Sequence, residues 1–147
     1  MRAARTLASI ALVVASGGVE AQARAAPTDA SILYASVTCA PATKPGRIRC
    51  HAALELPLDA VSARKLTWGE LVVVGAGSGV VPLRGRLGML DAETRDEQRI
   101  TWSFSVAAAE VGERTLDVVL RGTLEERAGK TPTAVSRPVR TTVKVAP

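Results

Sequence analysis

From Ser31 onward, apolar and polar residues alternate with a period of two in stretch after stretch, the spacing of a half-buried β-strand. Leu33, Ala35, Val37 and Cys39 share one phase, with Ser36 and Thr38 on the other. Pro41, Pro45 and Gly46 then punctuate a turn. The next stretch alternates most cleanly: Ile48, Cys50, Ala52, Leu54 and Leu56 against Arg47, Arg49, His51 and Glu55. Residues two apart share a face, so Cys39 and Cys50 both fall on the apolar side. Their opposition across a hairpin would also set Ala42 against Arg47.

Pro57 ends that strand, and residues 58–65 read as a connector with at most one helical turn. A third strand is predicted over 66–74, and its apolar end points to burial on both faces. A glycine-rich turn over 75–79 leads into a fourth strand over 80–90, with Val81, Leu83, Leu87 and Met89 in phase. Pro82 places this strand at a sheet edge or at a bulge. Residues 91–98 form a charged loop. Strict alternation resumes over 99–106, with Ile100, Trp102, Phe104 and Val106 inward. Residues 107–112 make a short turn, and a sixth strand over 114–124 turns Leu116, Val118 and Leu120 inward. After a polar loop over 125–133, the last strand, 134–145, sets Val139, Thr141, Val143 and Val145 against Arg140, Thr142 and Lys144.

About seven short strands separated by turn signals, with no amphipathic helix, predict an all-β sandwich over residues 31–147. Trp68 on the third strand and the run Gly112-Glu-Arg-Thr-Leu-Asp-Val-Val-Leu120 resemble the pattern of immunoglobulin-like and fibronectin type III-like domains. Cys39 and Cys50 are too close in sequence for the inter-sheet bridge of antibody domains. Exported pilin subunits share the architecture and a bridge between early strands, but a pilin-like C-terminal motif is absent here. No single family is assigned.

The start of the chain changes the picture of where the domain works. Arg2 and Arg5 precede an apolar run from Thr6 to Val19, and Ala21-Gln22-Ala23 supplies small residues for a signal peptidase. The run is shorter than the ~20 residues a membrane-spanning helix needs. Residues 1–23 are therefore expected to be a cleaved secretory signal peptide and 24–30 a flexible leader, with no transmembrane anchor after cleavage. Without Arg2, Arg5 and Glu20 the chain keeps 17 basic and 13 acidic residues, a diffuse net charge of +4 that does not imply nucleic acid. In a secreted or periplasmic chain, two cysteines most simply form one disulfide. Closing a loop of about 12 residues, it would contribute roughly 3 kcal/mol or less.

Candidate chemistry is sparse. His51 is the single histidine, on the polar phase of its strand; it cannot build a three-histidine metal site, and no Gly-x-Ser-x-Gly elbow provides it with a nucleophile. Gly75, Gly77 and Gly79 follow a valine run, but no helix follows to cradle a phosphate. Asp91, Glu93, Asp96 and Glu97 lack the alternate spacing of a calcium loop and have Arg95 among them. No catalytic residue, metal site or cofactor is assigned. Trp68, Trp102 and Phe104 are expected in the core, leaving Tyr34 as the ring on a polar phase.

Arg47, Arg49, Arg84, Arg86, Arg121, Arg140 and Lys144 lie on polar phases and would form a basic sheet face for an anionic partner if their strands adjoin. The expectation is an exported, non-catalytic binding or structural module of the cell envelope or extracellular space, with a protein partner. A binder of anionic glycan or lipid surfaces is the alternative, and a hydrolase with an unrecognised site comes third.

Overall fold

The computed structural model describes residues 33–129 and 131–147; the expected signal peptide and leader lie outside the described residues. The strands are β1 Tyr34–Cys39, β2 Gly46–Glu55, β3 Arg64–Ala76, β4 Val80–Pro82, β5 Arg86–Leu87, β6 Thr94–Arg95, β7 Arg99–Ala108, β8 Gly112–Glu126 and β9 Thr133–Val145. One antiparallel sheet has the order β1-β2-β7-β4, with β6 also on β7; the other has the order β5-β3-β8-β9. In immunoglobulin terms β1, β2, β7 and β6 are strands A, B, E and D, and β3, β8 and β9 are C, F and G. The chain folds as an immunoglobulin-like β-sandwich.

The alternation read from the sequence is the alternation that packs. Leu33, Val37, Ile48, Cys50, Leu54, Ile100, Trp102, Phe104 and Val106 from the first sheet meet Leu66, Leu71, Leu116, Val118, Leu120, Leu124, Val135 and Val143 from the second, all buried. Trp102 is wholly buried, and its indole N–H donates to Gly88 O at 3.0 Å, which removes the cost of burying that group.

Cys39 and Cys50 form a disulfide and pair directly in the β1–β2 ladder. Ala40 N–H donates to Arg49 O at 2.9 Å, so the adjoining cysteine pair is a non-hydrogen-bonded one. In such pairs side chains approach most closely, and the Cα atoms here are 4.0 Å apart. Beyond Ala40 the expected hairpin does not continue. Ala42 makes a parallel bridge to Val145 instead of opposing Arg47, its N–H donating to Lys144 O at 3.0 Å. The chain thus leaves the first sheet and pins the edge of the second.

Three expectations are corrected. Trp68 is 40% exposed. A bulge between Leu66 and Trp68 slips the β3–β8 register, and a one-residue slip moves the next side chain to the other face. The valine run is not buried on both faces: Leu71 is fully buried, but Val74 is 58% exposed on an uncovered outer surface. The single strand over 80–90 is three pieces. β4 lies at the edge of the first sheet, as Pro82 required, and β5 joins the second; a 3-10 turn over Met89–Asp91 then leads back toward the first. Crossing between sheets breaks the phase, so Val80 and Leu87 are buried while Val81 and Leu83 are exposed.

Candidate functional site

The seven basic residues do not form one face. Arg47 and Arg49 stand on the outer side of β2, opposite Ala107 and Ser105 of β7. Arg86 and Arg121 belong to the other sheet, where both approach Glu70 Oε2, at 3.4 and 3.7 Å. Arg140, on the same face, donates to Asp117 at 2.7 Å, and this hydrogen bond holds the Asp117 carboxyl below the ordinary aspartate range. Lys144 lies 3.9 Å from Glu113. Arg84, in the link between the sheets, donates to Asp91 at 2.8 Å. Arg47 and Arg49 alone of the seven have no ion-pair partner among the described residues.

The outer face of the β3–β8 sheet carries Trp68, Glu70, Val72 and Val74 from β3 beside Val119 and Arg121 from β8 and Pro138 from β9. Glu70 is 9% exposed although it faces outward, because the two arginine stems and the neighbouring strands cover it. Its buried Oε2 has no well-aligned hydrogen bond, so charge attraction from Arg86 and Arg121 holds it. The result is a surface where an exposed indole and valines lie among arginines already tethered to carboxylates.

The first sheet's outer face assembles something the sequence did not show. His51 of β2 and Ser103 of β7 are directly paired, with Ser103 Oγ 3.0 Å from His51 Nδ1. Glu93, brought over by the link from the second sheet, accepts from Ser103 Oγ at 3.0 Å and lies 3.7 Å from His51 Nε2. A serine hydroxyl has one hydrogen. Because that hydrogen goes to Glu93, the 3.0 Å contact requires His51 Nδ1 to donate to the oxygen. The histidine is therefore not placed as a base toward this serine, unlike the histidine of a hydrolase triad. The register of β2 against β7 and the course of the link make the grouping; His51 and Glu93 precede Ser103 by 52 and 10 positions, a spacing that carries no motif.

Beside this cluster the sheet edge is interrupted. β7 pairs with β4 over Val106–Ala108 and with β6 over Ile100–Thr101, leaving the residues between them outside either ladder. A cavity of about 380 Å³ opens there, with Leu83, Leu87 and Phe104 as apolar lining and Arg47, Arg84, Asp91, Ser103 and Ser105 as polar lining.

The acidic loop residues go four separate ways. Asp91 holds Arg84 and the Gly88 N–H, and Glu93 holds Ser103. Asp96 accepts the Gln98 and Arg99 N–H groups, and Glu97 accepts from Arg127. Among the described residues no group of three or more His, Cys, Asp or Glu is arranged to hold a metal ion.

No protein-family model matches the chain, and no curated protein is detectably similar to it. Among solved structures, AggA, the major subunit of aggregative adherence fimbriae type I from Escherichia coli, is similar at a TM-score of 0.39 and 11% identity, over 78% of this chain and 95% of that one. BcpA, the major pilin subunit of Bacillus cereus, is similar at a TM-score of 0.29 and 9% identity, over 88% of this chain and 43% of that one. The fold assignment rests on the strand order described above.

Proposed function

We propose that the chain is an exported, non-catalytic interaction module whose contact surface is the outer face of the β3–β8 sheet. The observation that supports this reading is the exposed Trp68 on a face whose charges are internally paired. Interfaces favour Trp and Arg over free Lys and carboxylates, and a face that exposes an indole among arginines suits a protein partner. The signal-peptide pattern and the Cys39–Cys50 disulfide support a secreted or periplasmic location. No helix among the described residues is long and apolar enough to cross a membrane.

The test is co-purification of the mature protein from its native host with a photo-crosslinker at Thr123, which pairs with Trp68. A crosslinked partner that Trp68→Ser abolishes supports the reading; capture indifferent to Trp68 overturns it. A second reading, contact with an anionic glycan or lipid surface, is favoured by Arg47 and Arg49, whose charges no carboxylate neutralises among the described residues. It predicts salt-sensitive retention on an anionic matrix.

A further inference from the structure

We propose that the cavity at the interrupted β7 edge is a binding site for one oxyanion group, carboxylate or sulfate, carried on a small apolar body. It deepens the reading of the chain as a binding module by assigning a small ligand to the first sheet, away from the Trp68 face.

The donors come from three elements. Arg47 projects from β2 with no ion-pair partner among the described residues. Arg84 projects from the link after β4, and it is already fixed: Asp91 Oδ1 accepts from its Nη1 at 2.8 Å, and Asp91 Oδ2 accepts from the Gly88 N–H at 2.9 Å. A guanidinium offers five N–H groups in a rigid fork, so this bond leaves others to face the cavity. Fixing the fork beforehand lowers the entropy lost on binding. Ser105 completes the set with a hydroxyl on the outward phase of β7, opposite Arg49.

Charge and shape agree. Two guanidiniums against Asp91 leave one positive charge at the cavity, which an oxyanion neutralises through charge-assisted bonds. Besides Ser103, the remaining lining is Leu83, Leu87 and Phe104, apolar side chains that suit the body carrying the anion. At about 380 Å³ the cavity lies in the size range of small-molecule sites. Glu93 stands next to it behind Ser103 and opposes an anion, so it limits affinity.

The experiment is an amide-resolved NMR titration of the mature protein with sodium sulfate, acetate and benzoate at constant ionic strength. Saturable shifts centred on Leu83, Ser103 and Ser105 are expected. Arg47→Gln and Arg84→Gln should each weaken binding on the order of tenfold. Glu93→Gln should strengthen it, and Arg49→Gln should leave it within about twofold. Tighter benzoate than acetate identifies a carboxylate on an apolar body, and tighter sulfate identifies a sulfate ester. Arg47, exposed and without an ion-pair partner, can be replaced without loss of fold, so the R47Q variant decides the matter if R84Q unfolds. Non-saturable shifts, or saturable shifts that R47Q leaves unchanged, overturn the proposal. Neither result touches the Trp68-dependent capture, which fails or succeeds separately.

Discussion

Gly69 and Gly122 face each other across β3 and β8, and the space left by their missing side chains is filled mainly from the opposite sheet, with Leu66 of β3 also packing over Gly122. A Cβ on Gly69 would lie 2.9 Å from Ile100 Cδ1 and 3.0 Å from Trp102 Cη2. One on Gly122 would lie 3.2 Å from Leu33 Cδ2 and from Leu66 Cδ1. The two glycines are a socket for the largest core side chains.

Overpacking this socket should destabilise the domain. Gly69→Ala and Gly122→Ala are each expected to cost about 1–3 kcal/mol in denaturant unfolding. Gly85→Ala, where an added methyl meets nothing within 4 Å, should stay within about 0.5 kcal/mol. Equal stability of all three variants would refute the socket.

The two tryptophans should behave as opposites. Trp102→Phe removes packing volume and leaves Gly88 O with the Asp91 N–H as its one remaining donor, for a loss of about 2–3 kcal/mol. Trp68→Phe should change stability little. Its remaining fluorescence, from Trp102, should be blue-shifted and resistant to acrylamide, whereas the W102F variant should emit at longer wavelength and quench readily.

The disulfide should act as a staple between β1 and β2. A double Cys39→Ala/Cys50→Ala variant is expected to lose roughly 3 kcal/mol, through the freedom returned to its unfolded chain. Intact-mass measurement should show two hydrogens gained on reduction of the mature protein. A free-thiol result in the exported protein would count against the pairing.

Acid should weaken the Asp117–Arg140 contact in a defined direction. The hydrogen bond from Arg140, with its charge, lowers the Asp117 pKa in the folded state, so unfolding takes up a proton once the pH nears the ordinary aspartate range. This stability is complete above about pH 4 and is lost as pH falls through the folded value. Arg140→Gln should therefore lower the melting temperature at pH 7, and the gap from the parent should close below pH 4. A gap that widens in acid would contradict the assignment.

The period-two pattern by itself determined the all-β class, most strand positions, and the inward phase of Ile48, Cys50, Leu54, Trp102 and Phe104, because each strand of a sandwich must turn one face to the core. It also placed both cysteines where a bridge forms. Alternation states which residues share a face of one strand; it does not state which strands adjoin. Tertiary structure alone decided that a bulge turns Trp68 outward, that residues 80–95 split between two sheets, and that Ala42 bridges to Val145. It alone divided the arginines between opposite faces and brought His51, Ser103 and Glu93 together. Each of those outcomes depends on register and sheet membership, which are set by contacts between residues far apart in the chain.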